Sequence, residues 1–200
     1  METGRTALSG GTETRRTALF GGTFDPIHNA HLEIARAAAD RFDLAKVLFV
    51  PAANPPHKPG GAIAPYDDRV RMAELACAAD ARFEVSRIEE GSSQSYSILT
   101  IEKLHQPLSF LIGADAFREI RTWYRWREVV AAVEFIVVTR PGATWETPPG
   151  AVVHELTGLQ LPESSSDVRR QVMEGSLDVP VPTAVLAYIR ERGLYRSQTT

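Results

Sequence analysis

The chain has 200 residues, 44% hydrophobic and 24% charged, with a formal net charge of −3, which suits one globular domain and excludes a disordered chain. That charge gives no overall attraction to nucleic acid or to an anionic membrane, so any phosphate must be held by a local site. The single cysteine, Cys77, excludes an internal disulfide and is expected in the core; no Cys and His cluster has zinc spacing, and no run approaches the ~20 apolar residues of a membrane span.

Residues 1–16 are polar and lack the apolar run of a signal peptide. They are expected to form a flexible leader, and the cytoplasm is the expected compartment. Residues 5–12 (RTALSGGT) are nearly repeated at 16–23 (RTALFGGT), but only the second copy continues into Phe24, Asp25, Pro26 and two histidines.

From residue 17, strand-length apolar runs alternate with stretches of helical period. Residues 17–20 predict a strand stopping at a Gly-Gly turn. A helix follows over 28–42, with Leu32, Ile34, Ala35, Ala38 and Ala39 on one stripe. KVLFV at 46–50 is the second strand, and the proline-rich segment 52–65 is a loop. A helix over 66–79 carries Val70, Ala73, Leu75 and Cys77, and 83–86 is a brief strand. Then come a helix at 97–104, a strand at 108–112, a short helical run at 116–120, a helix at 127–132 and a strand at 133–139. Residues 152–156 are an edge-strand candidate, and 166–174 and 183–192 are two helices with no strand between them. This alternation predicts an α/β fold: a doubly wound, mostly parallel, Rossmann-like sheet with a small C-terminal helical part at about 164–195. A single domain over 17–197 is expected, with ligands bound beyond the carboxyl ends of the strands.

The unusual residues follow strands. Gly21 and Gly22 let the backbone turn and approach a ligand without a Cβ, and the N–H groups of Thr23 and Phe24 can then face an anion. His28 and His31 lie three apart at a helix start, so they share a face at the positive end of the dipole, which suits a polyphosphate. The plain alternative is a turn with two surface histidines. After the second strand, Asn54-Pro55-Pro56-His57-Lys58 places two donors on a stiffened loop, where a solvated loop is the alternative reading. Gly113 and Asp115 follow the fourth strand; the carboxylate can accept ribose hydroxyls or cap the next helix. Trp123 offers a flat platform for an electron-poor ring, while Trp126 reads as core. Ser164, Ser165 and Ser166 with Arg169 combine helix capping with phosphate donors. No Ser–His–Asp or Cys–His set occurs, and His105 and His154 have no assigned role.

The string GGTFDPIHNAH at 21–31, with PPHK at 55–58, resembles the bacterial nicotinate-nucleotide adenylyltransferase family, within the nucleotidylyltransferase superfamily whose core motif is H-x-G-H. Residue 30 departs from it, being Ala where the family usually has Gly. The SSSDVR segment at 164–169 resembles the second superfamily signature, with Ser166 in place of the common Thr. The resemblance covers about 17–195.

The resemblance implies transfer of AMP from ATP to nicotinate mononucleotide, giving deamido-NAD and pyrophosphate in NAD biosynthesis. It implies ATP or phosphate contacts from Gly21, Gly22, Thr23, Phe24, Lys58, Gly113, Asp115, Arg140, Ser165 and Ser166, with His28, His31 and Arg169 catalytic. Asn54, His57, Ser97, Trp123 and Tyr124 would bind the pyridine substrate: the Trp123 ring stacks on nicotinate and the N–H groups of Ser97 and Tyr124 meet its carboxylate. Mg²⁺ would be carried mainly by the ATP phosphates rather than by a protein metal site. ATP and nicotinate mononucleotide are the implied partners, with no nucleic acid and no membrane, whether as monomer or homo-oligomer. The alternatives are a related transferase (phosphopantetheine, nicotinamide mononucleotide or a CTP-linked alcohol phosphate) and a nucleotide-binding regulator without chemistry.

Overall fold

A computed structural model describes residues 16–56, 61–106, 108–139, 144–159 and 162–196. Six strands form one sheet: β1 (Thr17–Gly22), β2 (Lys46–Pro51), β3 (Phe83–Val85), β4 (Leu108–Gly113), β5 (Val133–Val138) and β6 (Val153–Leu156). Their order is β3-β2-β1-β4-β5-β6, and every pairing is parallel. The chain starts at the centre, winds outward to β3, then returns beside β1 as β4. The order therefore reverses between β1 and β4, which is where a doubly wound sheet opens a crevice at its carboxyl edge.

Alternate residues of each strand point to opposite faces, and both faces are covered. Ala18, Phe20, Val47, Phe49, Leu111 and Ile136 join the core under α1 (Asn29–Phe42), α2 (Tyr66–Cys77), α6 (Ser165–Met173) and α7 (Thr183–Arg192). Leu19, Leu48, Val50, Phe110, Ile112 and Phe135 join the other core, under α3 (Ser97–Leu104), α4 (Ala114–Arg118) and α5 (Trp126–Ala132). Burial on both sides explains why the central strands read as continuous apolar runs rather than alternating ones. Cys77 is buried, and burial pushes its thiol up to about 12. No helix among the described residues is long and apolar enough to cross a membrane.

Three expectations change. The glycines do not form the turn: β1 continues through them, with Gly21 level with Val50 and Gly22 level with Pro51. The turn comes later, at 23–28, because parallel pairing to β2 holds the bare backbone extended. Asp115 is not the cap of the following helix: Gly113 occupies that position and Asp115 lies in the first turn of α4. Finally, Trp126 packs against the second core but is only partly buried, with the Arg127 guanidinium 4.4 Å over its ring. The expected leader lies almost wholly outside the described residues.

Candidate active site

The crevice is built first from bare backbone. β1 pairs with β4 as Ala18 with Ser109 and Leu19 with Phe110, and continuing that register brings Gly22 level with Gly113. The two glycines serve different ends. A Cβ on Gly22 would sit 3.0 Å from Phe24 Cζ, so that position is bare because the Phe24 ring folds over it. A Cβ on Gly113 would meet nothing within 4 Å, leaving open space above the end of β4.

The turn between β1 and α1 is held by its carbonyls. Thr23 O accepts Arg69 Nη1 at 2.7 Å, Asp25 O accepts Arg169 Nη1 at 2.7 Å, and Pro26 O accepts Ser165 Oγ at 3.0 Å. A trans peptide whose carbonyl is held inward points the next N–H to the opposite side. The N–H groups of Phe24 and Ile27 thus face away from these anchors. Phe24 itself has φ 48, the left-handed region, which helps swing its ring against Phe20 and His31.

His28 caps α1 and is 5% exposed; His31 lies one turn in. Their rings lie against each other, with centroids 3.8 Å apart and planes tilted by 38°. His31 Nδ1 accepts the His28 backbone N–H at 3.2 Å, so the proton of a neutral His31 is on Nε2. His28 Nδ1 is buried without a hydrogen-bond partner, an orphaned polar atom that costs stability unless a ligand satisfies it. Burial pushes the His28 pKa down to about 4, and burial followed by the neighbouring His28 holds His31 well below the usual histidine range. Both rings are therefore neutral at pH 7. The first turn of α1 holds no acidic residue to oppose an anion. Ala30 is buried, so its methyl is accommodated inside the protein.

The second signature docks directly on this turn. Ser164 is the cap of α6, its Oγ accepting the Asp167 N–H at 3.1 Å. The Ser165 hydroxyl is committed to Pro26 O, whereas Ser166 Oγ accepts Arg169 Nη2 at 3.1 Å and keeps its own proton to donate. Arg169 spans from Ser166 to Asp25, joining the two signatures 144 residues apart.

The opposite wall carries the aromatics. Trp123 is half-buried and packs edge-on to Phe110 of β4, at 5.9 Å between centroids. Tyr124 is exposed and packs on Tyr96, with ring centroids 4.5 Å apart and planes tilted by 32°. Tyr96 precedes α3, so this contact brings Tyr124 beside Ser97, the first residue of that helix. First-turn amides have no partner within their own helix, and here the Ser97 N–H is one of them. The Asn54 N–H donates to Ser95 Oγ at 2.9 Å and its side-chain amide to Ser93 O, so it fastens the loop after β2 to the segment entering α3 while its Oδ1 is left to accept. Asp115 is exposed and paired with Arg118 at 3.4 Å. His57, Lys58 and Arg140 lie outside the described residues.

Sequence reasoning missed Asp25 and Arg69. Arg69 is 1% exposed and bridges Thr23 O and Ala52 O, each at 2.7 Å, while its Nε donates to Ala64 O at 3.1 Å. It thus ties the ends of β1 and β2 to the loop between them and α2. A signal existed: Arg69 stands four before Ala73 and seven before Ala76 on the buried stripe of α2, where a lone cation needs a purpose. Asp25, 2% exposed, accepts the Ile63 N–H at 2.7 Å and the Ala64 N–H at 3.1 Å.

Comparison with known proteins agrees with this geometry. A family model described as cytidylyltransferase-like matches residues 19–171. A Solibacter usitatus protein named as a nicotinate-nucleotide adenylyltransferase is 58% identical, over 86% of this chain and 95% of its own length. A Roseiflexus castenholzii protein of the same name is 37% identical over 98% of this chain and 100% of its own. Among solved structures, a Plasmodium falciparum nicotinic acid mononucleotide adenylyltransferase complexed with NaAD superposes with a TM-score of 0.73, at 18% identity, over 90% of this chain and 97% of that one; it shows the fold. With its signature turn, paired histidines and full-length relatives, the chain belongs to the nicotinate-nucleotide adenylyltransferase family.

Proposed function

We infer that this chain joins nicotinate mononucleotide to the AMP part of ATP, releasing pyrophosphate, as the dinucleotide-forming step of NAD biosynthesis. The observation that carries this is the pair His28 and His31, both held neutral, with ring centroids 3.8 Å apart where the turn after β1 enters α1, His28 buried and His31 partly so. The whole stretch 17–197 would act as one nucleotidyltransferase unit, preceded by the 1–16 leader. The compartment we assign is the cytoplasm, where ATP is at hand.

A mononucleotide phosphate is already an anionic nucleophile at neutral pH and needs no base. One of its oxygens attacks the α-phosphorus of ATP in line; that P–O bond forms as the α–β bridging P–O bond breaks, and pyrophosphate leaves with the electron pair. The protein supplies alignment and charge stabilisation. His31, with its proton fixed on Nε2, donates to the α-phosphate or the bridging oxygen as charge develops there, and His28 stands beside it. Ser166 and Arg169 hold the β/γ end, while Phe24 N–H and the backbone of Gly21, Gly22 and Thr23 line the cradle. Gly113 gives the adenosine room above β4, with Asp115 and Arg140 near the same strand ends. Trp123 stacks on the pyridine, the N–H groups of Ser97 and Tyr124 receive its carboxylate, and His57 and Lys58 cover the phosphates.

A Mg²⁺ held by triphosphate oxygens and water would neutralise phosphate charge when bound. The test is purified protein with ATP, Mg²⁺ and either nicotinate or nicotinamide mononucleotide, with dinucleotide and pyrophosphate measured. Deamido-NAD and pyrophosphate in equal amounts are expected. ATP binding without pyrophosphate release would instead favour a regulator.

A further inference from the structure

The segment that follows α7 reaches the turn after β1. α7 closes at Gly193 (φ 63), and the Leu194 N–H returns to Ile189 O at 3.0 Å. Tyr195 (φ 60) then turns back toward the sheet. Two carboxylates receive this end. Asp68 on α2 accepts the Tyr188 hydroxyl at 2.7 Å and Arg192 Nε at 3.2 Å. Asp25, inside the turn after β1, accepts the Tyr195 hydroxyl on Oδ1 at 2.7 Å.

Asp25 is the one carboxylate in that turn, and its backbone carbonyl is the group that Arg169 holds. Without the Tyr195 hydroxyl, Oδ1 would keep only the Ala64 N–H at 3.1 Å, in a place too buried for water to replace the donor freely. With the Ile63 N–H still on Oδ2, the carboxylate would hold two of its three donors, loosening the side chain and with it the turn it anchors. Burial and the adjoining Asp25 charge push the Tyr195 phenol up, so it remains a donor throughout the neutral range. We propose that Tyr195 is a positioning residue for adenylyl transfer, fixing Asp25 and through it the turn that presents His28 and His31 to the triphosphate.

This rests on the adenylyl-transfer reading above, and its test separates the two. The full chain is compared as wild type, Tyr195→Phe, Asp25→Asn and the double variant, with KM for each substrate, kcat and thermal midpoint. For Tyr195→Phe, KM for ATP should rise about tenfold, the loss of one hydrogen bond to a charged group. KM for nicotinate mononucleotide should stay within about twofold, since that wall is untouched. The double variant should be no worse than Asp25→Asn, because Tyr195 acts through Asp25. A Tyr195→Phe protein that cannot fold, one with wild-type KM for ATP, or penalties that multiply in the double variant would each overturn the proposal. A wild type that forms no dinucleotide sinks the reaction instead. In that event the same four proteins are compared by affinity for a non-hydrolysable ATP analogue, with the same outcomes deciding.

Discussion

The backbone N–H of His28 donates to Nδ1 of His31 at 3.2 Å, so the first residue of the helix start sets the tautomer of the second. Nε2–H is then available at the face the two rings share. In the proposed reaction this donor acts on charge that develops only in the transition state, so its removal should appear in turnover. His31→Ala is expected to lower kcat by roughly 10²–10³ with a smaller change in KM for ATP. Steady-state kinetics at saturating nicotinate mononucleotide check this, and an unchanged kcat would remove His31 from the chemistry.

The neutral imidazoles also set a pH dependence of stability. His28 has its pKa lowered to about 4 in the fold, against 6.5 in the unfolded chain. Between those values the unfolded chain binds a proton that the folded chain refuses. Stability is therefore full above about pH 6.5 and falls as the pH drops toward 4, at up to about 1.4 kcal/mol per pH unit for each such histidine. Denaturant titrations at pH 7.5 and 5.0 measure it. In His28→Gln the slope should be shallower, and equal slopes would mean that His28 is not held neutral.

Gly22 and Gly113 are level across the crevice yet should respond differently to a methyl group. In Gly22→Ala the new Cβ meets the Phe24 ring at 3.0 Å, and that ring packs on His31 at 5.1 Å. A loss of about 1–3 kcal/mol in stability is expected, together with weaker ATP binding. Gly113→Ala has open space around it, so stability should hold within about 0.5 kcal/mol. Any rise in KM for ATP in that variant then reports the nucleotide's approach to β4. Thermal melts and ATP kinetics on the two variants separate steric from ligand effects.

Much of this was readable from residues. Continuous apolar runs such as KVLFV at 46–50 and the 133–138 segment predict buried parallel strands, and the structure has them. The signature string gave the location of the turn because every unusual residue follows a strand. What local pattern could not supply were the long-range side-chain to backbone bonds. Whether Ser165 donates to Pro26 O or to a phosphate depends on how α6 docks 139 residues later. The bond from the Asn54 amide to Ser93 O is likewise invisible to a local reading of the Asn-Pro-Pro loop. Gly-Gly was misjudged as a turn because glycine tolerates both turn and extended backbone, and only pairing with β2 decides between them.

The aromatic wall makes the last prediction. Trp123 is half-buried, with its edge packed on Phe110 and the neighbouring Tyr124 packed on Tyr96, so one wall holds a flat ring beside main-chain donors. Stacking of a flat heterocycle on such a ring is worth about 1–3 kcal/mol. Trp123→Ala should therefore raise KM for nicotinate mononucleotide by about tenfold or more, whereas Trp123→Phe should recover most of the loss by keeping an aromatic face. KM for ATP should move little in either, because α1 and α6, which carry His28, Ser166 and Arg169, pack on the opposite face of the sheet from Trp123. The two constants measured on the same preparations distinguish this from a fold defect, which would weaken both substrates together. Equal losses for both would place the pyridine elsewhere.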